Sequence, residues 1–287
     1  MLFRSRNRDE RLILVNQTAY IDRKLAQFRM SDAITAATPI DSNTVYRTND
    51  DFTITEFPYR EAVGSLVYLA TQTRPDIIYA VSVLSRYASN PSQAHINAVR
   101  RVFRYLLGTR QRGIILGGKG GICAFSDSDW AGDVDTRRST TGFIISCGGP
   151  IVWHSRLQTT VALSTCEAEY IALSECSRVL LWIRNILIEI RLVEPDVLIP
   201  LYCDNRSAVA QLVHDSISAR VRHVDIKYHF VRSLARDNIL SVEWIQSANQ
   251  RADGLTKALN SVAFGRFLDQ LDGLYFCSEG GNVGEIM

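Results

Sequence analysis

The spacing of apolar residues changes midway along the chain and divides it into a helical front part and a strand-rich rear part. In the front part, apolar residues recur every three or four positions in three segments, which predicts three helices. They cover residues 60–72, residues 76–88 and a stretch that begins with Asn90 as N-cap and Pro91 at the first helical position. We place the start of the rear part at the flexible run Gly117-Gly-Lys-Gly-Gly121.

Short apolar runs rich in β-branched residues predict strands in the rear part. The first three cover residues 122–130, 140–147 and 151–155, and the glycine turn between the last two predicts an antiparallel meander. The spacing Ser-x-x-Glu from Ser164 to Glu167 predicts a capping box. A long helix should therefore start there and continue to about residue 192.

The next strand, residues 201–204, follows that long helix. A strand, a helix and a second strand form a right-handed crossover, which places the second strand parallel to the first. Asp127 and Asp204 are therefore predicted to be neighbours. The remaining elements are a short helix, an amphipathic helix, a strand and a last helix that has Asp253 in its first two turns, at residues 206–214, 224–236, 240–245 and 247–258.

The remaining segments complete the predicted domain organisation. The first 30 residues hold too few apolar positions for a core and look like the end of a preceding domain. The next segment is rich in Thr, Asp, Asn and Ser without a sustained period, which is typical of a linker. The predicted segments are a domain end at 1–30, a linker at 31–58, a helical segment at 59–116, an α/β domain at 117–260 and a tail at 261–287.

Composition and cysteine spacing limit the class of protein. The chain has 287 residues, 46% of them hydrophobic, so it can bury a substantial core. It contains no run of about 18 apolar residues, so we expect no membrane partner. The six cysteines form no C-x-x-C pair and lie mostly in apolar segments. We therefore expect an intracellular, reducing compartment, the cytoplasm or the nucleus.

The net charge of +2 is unevenly distributed. Residues 1–115 hold 16 Lys and Arg against 10 Asp and Glu, whereas the remainder holds 16 against 20. A basic front part would suit contact with a phosphate backbone, and ordinary solvated arginines explain the same numbers. The candidate phosphate contacts lie on the outer face of the third helix and in the loop before the amphipathic helix: Arg100, Arg101, Arg104, Arg220 and Arg222.

Four carboxylates stand at the ends of predicted strands or near the starts of predicted helices: Asp127, Glu169, Asp204 and Asp253. A carboxylate that is buried without a partner is unfavourable or becomes protonated, so such groups need a cation. Acids without a histidine or thiolate ligand suit magnesium, which prefers hard oxygen ligands. The alternative is that each acid is solvated or salt-bridged by itself.

Six motifs occur in order in the rear part. They are Ser-Asp127-Ser-Asp-Trp-Ala-Gly, Arg138-Ser-Thr-Thr-Gly-Phe, Ala162-Leu-Ser-Thr-Cys-Glu-Ala-Glu169-Tyr-Ile-Ala-Leu, Cys203-Asp204-Asn205, His223-Val-Asp-Ile-Lys-Tyr-His229-Phe and Asn249-Gln-Arg-Ala-Asp253-Gly-Leu-Thr-Lys. Together they resemble the ribonuclease H domain of copia-type long-terminal-repeat retrotransposon Pol polyproteins. Residues 11–115, with Tyr59-Arg-Glu-Ala-Val-Gly-Ser-Leu-Val-Tyr and Thr73-Arg-Pro-Asp-Ile, resemble the thumb and connection part of the preceding reverse transcriptase.

The resemblance implies an α/β fold of ribonuclease H type, with a mixed five-stranded sheet in the order 3-2-1-4-5 and flanking helices. It implies an endonuclease that hydrolyses the RNA strand of RNA–DNA hybrids with two Mg²⁺ or Mn²⁺ ions. Asn205, beside one of the acids, is a further candidate for nucleic-acid binding. The catalytic acids, which are also the metal ligands, would be Asp127, Glu169, Asp204 and Asp253. The resemblance also adds virus-like particles to the locations in which we expect this protein.

Two features of the motifs limit the expected activity. The palm motif of the Tyr-Val-Asp-Asp type is absent, so we expect no polymerase activity. An upstream reverse transcriptase region is an expected partner. Many ribonucleases H carry a histidine shortly before the last acid, whereas Gln246-Ser-Ala-Asn249 has none. The alternative function is a catalytically silent remnant that binds nucleic acid or packs against a reverse transcriptase.

Glu167 and Glu169 are two residues apart on one predicted helix, which separates their directions by about 200°. Only one of them can reach a metal site. Glu167 lies three residues after Ser164, where it can complete the cap, and Glu169 begins the inward face of the helix. We therefore predict that Glu169 belongs to the site and Glu167 to the cap.

Overall fold

The computed structural model describes residues 3–9, 11–48, 56–117, 120–213, 225–271 and 274–275. Two compact units make up the chain. The first comprises Met1–Gly120, Gly148–Pro150 and Ala258–Met287, and the second comprises Gly121–Cys147 and Ile151–Lys257. Within the described residues, no helix has both the length and the apolar character that a bilayer crossing requires.

The strands follow in chain order as β1 (Phe3–Asn7), β2 (Leu12–Asn16), β3 (Gly113–Gly117), β4 (Ile122–Ser128), β5 (Thr140–Cys147), β6 (Pro150–Leu157), β7 (Ile199–Cys203), β8 (Leu240–Trp244) and β9 (Leu274–Tyr275). The helices are α1 (Thr18–Gln27), α2 (Tyr59–Gln72), α3 (Ile78–Ser85), α4 (Gln93–Gly108), α5 (Thr165–Glu189), α6 (Arg206–Val213), α7 (Asp225–Arg236) and α8 (Ser261–Gln270). Single 3-10 turns lie at Pro75–Ile77, Ser247–Asn249 and Asp253–Leu255.

In the first unit, the described strands form a four-stranded antiparallel sheet in the order β1-β2-β3-β9. The helix α4 buries an apolar stripe whose members are spaced by three or four residues, as its sequence predicts: Ile96, Val99, Phe103 and Leu106. Its start differs from the prediction. The N-cap is Ser92 instead of Asn90, because the imidazole of His95 accepts a hydrogen bond from the Ser92 N–H at 2.9 Å and closes a capping box.

Two arginines predicted to face outward on α4 bind the segment that precedes α2. The Arg101 guanidinium donates to the Thr38 carbonyl at 3.2 Å and to its hydroxyl at 2.9 Å. Arg104 donates to the Ile34 carbonyl. The predicted linker therefore runs along α4, where side chains of the helix satisfy its backbone groups.

The segment assigned to a tail contains ordered structure. Asn260 caps α8 by accepting the Ala263 N–H at 2.9 Å, and the helix buries Phe264 and Phe267. Strand β9 then pairs with β3. The sequence pattern did not predict β9. These pairings join segments far apart in the chain, so local patterns do not indicate them.

The first unit also buries a charged network. The side chains of Arg74 and Asp76 are both fully buried and form a bidentate ion pair with distances of 2.9 and 2.7 Å. The Tyr105 hydroxyl donates to the same carboxylate at 2.6 Å, and Arg112 donates to that hydroxyl at 3.2 Å. Burial raises the pKa of Asp76, yet Arg74 outweighs it together with the hydrogen bonds, so the pKa lies below its ordinary value.

In the second unit, the described strands form a mixed five-stranded sheet in the order β6-β5-β4-β7-β8. Strands β4 and β5 are antiparallel, whereas β4 and β7, and β7 and β8, are parallel. Numbered from β4 onward, the order is 3-2-1-4-5, which confirms the predicted fold class. The long helix α5 packs on β4 and β5 and covers the core of this sheet.

The prediction of a helix at residues 247–258 is wrong. The chain instead makes two 3-10 turns, Ser247–Asn249 and Asp253–Leu255. The buried Gln250 side chain lies between them and donates to the Ser126 carbonyl of β4 at 3.0 Å. This tertiary hydrogen bond fixes the turns, and Asn249, Asp253 and Gly254 have low helix propensity.

Candidate active site

Two acids follow adjacent parallel strands. Asp127 lies near the end of β4 and is 4% exposed, whereas Asp204 directly follows β7 and is partly exposed. The register pairs Phe125 with Tyr202, so its continuation by two residues sets Asp127 level with Asp204. The predicted crossover therefore does bring these two acids to one edge of the sheet.

The third acid comes from the first turns of α5. Glu169 is 5% exposed, and its carboxylate accepts the Ser128 N–H at 3.3 Å and the Cys203 thiol at 3.7 Å. Glu167 turns back and accepts the Leu163 N–H at 2.8 Å, while its own N–H donates to the Ser164 hydroxyl. The two glutamates thus point in different directions as predicted, but the carboxylate of Glu167 binds the N–H of Leu163 and not that of the cap residue Ser164, so the predicted capping box is not closed.

The fourth acid, Asp253, begins a 3-10 turn that packs against the ends of β4 and β5. Three residues later, the Thr256 hydroxyl donates to the carboxylate of Asp127. Gly142 on β5 allows this approach, because a Cβ atom there would lie 2.6 Å from the Thr256 Cγ2 atom. Lys257 then places its ammonium nitrogen 2.6 Å from Asp253 Oδ1.

The electrostatics of the cluster show that its acids interact with one another. Burial, Asp253 and Asp204 raise the pKa of Asp127 to about 7 against the opposing effect of the Thr256 hydrogen bond. Burial, Asp127 and Asp204 raise the pKa of Glu169 well above its ordinary value. The four predicted acids therefore form one electrostatic group with an excess of negative charge.

Atoms that could hold a metal ion lie close together within this group. One ligand atom each from Glu169, Cys203 and Asp204 lies within 4.8 Å of the others. The buried Cys203 thiol has a strongly raised pKa because of its burial and the neighbouring Glu169, so it stays protonated. The carboxylate oxygens are the remaining donors, and they are the hard ligands that Mg²⁺ and Mn²⁺ prefer.

Four of the other candidate residues make their own contacts within the described part of the chain. The Asn205 side chain caps α6 by accepting the Ala208 N–H at 3.0 Å. Arg100 lies over the Phe57 ring, and Arg101 and Arg104 bind the segment before α2. Arg220 and Arg222 lie outside the described residues.

Three residues beside the acids were not predicted as part of the site. Thr256 and Lys257 belong to the same motif as Asp253, and Cys203 directly precedes Asp204. Their place in these motifs was the signal that could have identified them. Their contacts with the acids could not be read from the sequence, because they depend on the 3-10 turn and the sheet register.

Comparison with known proteins finds relatives among transposon polyproteins. The chain is 37% identical over 263 residues to the retrovirus-related Pol polyprotein from transposon TNT 1-94 of Nicotiana tabacum, covering 88% of this chain and 20% of that protein. It is 40% identical over 262 residues to the Pol polyprotein from transposon RE2 of Arabidopsis thaliana, covering 88% and 18%. An uncharacterized mitochondrial protein of Arabidopsis thaliana, AtMg00810, is 37% identical over 177 residues, covering 59% and 72%. The chain thus spans about a fifth of the length of these polyproteins.

Solved structures show a more distant likeness. LC11-RNase H1, isolated from compost, is 19% identical with a TM-score of 0.38, covering 48% of this chain and 94% of that one. RNase H1 from Halobacterium salinarum is 19% identical with a TM-score of 0.33, covering 48% and 95%. No protein-family model matches the chain. The fold assignment rests on the strand order of the second unit.

Proposed function

Because the chain belongs to the family of retrovirus-related Pol polyproteins of transposons, we propose that its second unit is a metal-dependent ribonuclease H. It hydrolyses the RNA strand of RNA–DNA hybrids. The observation that carries this proposal is the convergence of four acids from four separate elements into one group with excess negative charge. Such strongly perturbed groups concentrate at functional sites.

The donor set fits two Mg²⁺ or Mn²⁺ ions. Asp127 and Glu169 are buried next to other acids, so a cation would relieve their repulsion. The residues that would hold the ions are Asp127, Glu169, Asp204 and Asp253. When bound, the ions supply an activated water and charge stabilisation for the leaving oxygen.

The chain itself orients three of the acids through donors from fixed elements. This arrangement holds the carboxylates in place before a substrate arrives, which lowers the cost of reorganisation during the reaction. The donors are the Thr256 hydroxyl on Asp127, the Ser128 N–H on Glu169 and the Ser247 hydroxyl on Asp204.

The reaction is hydrolysis of a phosphodiester of the RNA strand. The water oxygen bonds to phosphorus, the bond to the 3′ oxygen breaks, and the products end in a 5′-phosphate and a 3′-hydroxyl. Selectivity for RNA comes from the 2′-hydroxyl groups in the shallow minor groove, and base edges contribute little. Sequence preference is therefore weak.

The first unit corresponds in this proposal to the end of a reverse transcriptase, at residues 1–30 and 59–116, with residues 31–58 as a connecting segment. It contributes contacts to the duplex or to the upstream polymerase region. Polymerase chemistry is not expected, because no palm motif of the Tyr-Val-Asp-Asp type precedes Gly117, and the pair Asp50-Asp51 follows Asn49 in a segment without that pattern.

The decisive experiment incubates the purified chain with an end-labelled RNA–DNA hybrid in Mg²⁺, in Mn²⁺ and in EDTA. Double-stranded DNA and double-stranded RNA serve as control substrates. We expect cleavage of the RNA strand alone, dependent on metal, and no primer extension on a template. An intact hybrid in both metals, from protein shown to be folded by circular dichroism, would support the silent remnant instead.

A further inference from the structure

We propose that Lys257 is a mobile cation of the acid cluster. Without metal, its ammonium group forms an ion pair with the carboxylate of Asp253. When metal ions bind that carboxylate, the ammonium group moves to the phosphate of the substrate. The inference rests on the proposed function and adds to it a substrate-contacting residue besides the four acids.

The backbone beside Lys257 is fixed, while its side chain is not enclosed. Thr256 is fully buried and anchored to Asp127 by its hydroxyl. The next side chain, Lys257, is 51% exposed, and its ammonium nitrogen lies 2.6 Å from Asp253 Oδ1, in a carboxylate that is 23% exposed. The ammonium group therefore lies at the solvent-facing side of the cluster, at the end of a flexible four-carbon chain.

The charges around Lys257 come from several acids at once. Burial lowers the pKa of Lys257, but Asp253, Asp127 and Asp204 raise it further than burial lowers it. In return, Lys257 lowers the pKa of Asp127. The ammonium group thus lies where several acids favour positive charge, and it pairs with a carboxylate that the proposed function assigns to metal binding.

Metal binding and the ion pair compete for the same carboxylate. A divalent ion on Asp253 repels the ammonium group, and the partly exposed ion pair is too weak to resist a divalent ion. The side chain can leave without unpacking a core residue, because half of its surface is already in solvent. A phosphate held by the metal ions is then the nearest strong acceptor, and its charge increases in the transition state.

A purely structural ion pair makes different predictions. If Lys257 only held the turn that carries Asp253, its removal would loosen the turn and weaken metal binding. If it competes with the metal, its removal strengthens metal binding and still slows catalysis. The two roles therefore give changes of opposite sign in metal affinity.

The test compares Lys257→Met and Lys257→Arg with the wild-type chain. Lys24→Met, in α1, is the matched control, because it removes the same charge from a lysine in the other unit. Mn²⁺ affinity is measured by calorimetry without substrate, and kcat and KM are measured on the hybrid. Hybrid affinity is also measured in Ca²⁺ and in EDTA.

We expect Lys257→Met to bind Mn²⁺ about two- to fivefold more tightly, as expected from a partly exposed ion pair. Its kcat should fall about 10²-fold with a smaller change in KM, and its hybrid affinity should fall in Ca²⁺ but not in EDTA. Lys257→Arg should restore part of kcat, because it keeps the charge. Lys24→Met should leave Mn²⁺ affinity and kcat unchanged.

Weaker Mn²⁺ binding by Lys257→Met, an unchanged kcat, or equal effects of Lys24→Met would each overturn the proposal. If the wild-type chain does not cleave the hybrid, the proposed function fails, and the Mn²⁺ titration and the Ca²⁺ binding still decide about Lys257. Tighter Mn²⁺ binding with weaker Ca²⁺-dependent hybrid binding would support its role, and unchanged values would refute it.

Discussion

Each unit buries an aspartate, and the two aspartates differ in what surrounds the carboxylate. Asp76 is fully buried against Arg74 and the Tyr105 hydroxyl, and its pKa lies below the ordinary value. Asp127 is 4% exposed among other acids, and its pKa is raised to about 7. Burial alone therefore does not indicate function in this chain.

The difference lies in the source of the opposite charge. The first unit supplies its own cation, so the network around Asp76 is complete and serves the fold. The second unit supplies four carboxylates and, beside them, the partly exposed Lys257. In the proposed function such a group is completed by a cation from solution, which makes it the candidate for catalysis.

Glu169→Gln should have the largest effect and should reduce hybrid cleavage by at least about 10³-fold, because it removes a proposed metal ligand. The fold should be retained, since glutamine can still accept the Ser128 N–H. Glu167→Gln is the matched control and should stay active. Cleavage rates measure the activity of both variants, and melting temperatures show whether their fold is retained. An active Glu169→Gln protein would show that the site has been assigned to the wrong face of α5.

Arg74→Met should destabilise the first unit by about 3–5 kcal/mol, because it leaves the buried carboxylate of Asp76 unpaired. In EDTA, Asp127→Asn should not destabilise the protein. Its free energy of unfolding should be unchanged or higher, because the substitution removes one of several repelling charges. Urea denaturation of both variants provides the measurement. A comparable loss of stability in Asp127→Asn would contradict the comparison between the two aspartates.

The stability of the metal-free protein should depend on pH through Asp127. Its raised pKa means that the folded protein binds this proton more tightly than the unfolded chain between about pH 4 and pH 7. The resulting contribution of Asp127 to the free energy of unfolding is fully present below about pH 4 and is lost as the pH rises through 7. The raised pKa of Glu169 changes stability in the same direction.

Melting temperatures in EDTA between pH 5 and pH 8 measure this dependence. Asp127→Asn should show a flatter profile, and Mg²⁺ should raise the melting temperature more at pH 8 than at pH 5, since metal and protons compete for the same oxygens. An equal gain from Mg²⁺ at both pH values would argue against metal binding by these acids.

Alanine at Arg101 should have the smallest effect, a loss of about 1 kcal/mol, because it removes hydrogen bonds to Thr38. Faster proteolysis within residues 31–48 would report the release of this segment.

The triple substitution of Arg100, Arg101 and Arg104 by alanine tests the phosphate contact, through the slope of hybrid affinity against salt concentration. An unchanged slope would assign these arginines to the fold alone.

Much of the second unit could be predicted from local patterns. Strand alternation and the crossover rule indicated that Asp127 and Asp204 lie side by side, and the cap at Ser164 separated Glu167 from Glu169. These features depend on residues near one another in the chain or on a rule of chain handedness. The four acids were identified by their positions at the ends of predicted strands and near the starts of predicted helices, and the family motifs contain the same residues.

The errors fall where distant contacts decide the structure. Residues 247–258 were predicted as a helix, but Asn249, Asp253 and Gly254 have low helix propensity, and the hydrogen bond from Gln250 to Ser126 fixes turns instead. Strand β3 was not predicted, because its five residues gain their structure by pairing with β2 and β9. The position of Lys257 against Asp253 depends on the same turns, so it could not be predicted either.

The contact between Thr256 and Asp127 joins residues 129 positions apart, which has a consequence for synthesis on the ribosome. At about 5–20 residues per second, roughly 6–26 s pass between the addition of these two residues. During that interval β4 can already pair with β5, but the acid group lacks its last carboxylate and the hydroxyl that anchors Asp127. Under the proposed function, a nascent chain can thus form β4 and β5 while still unable to cleave a hybrid, and it would gain that activity only when the final turn of the second unit has left the ribosome.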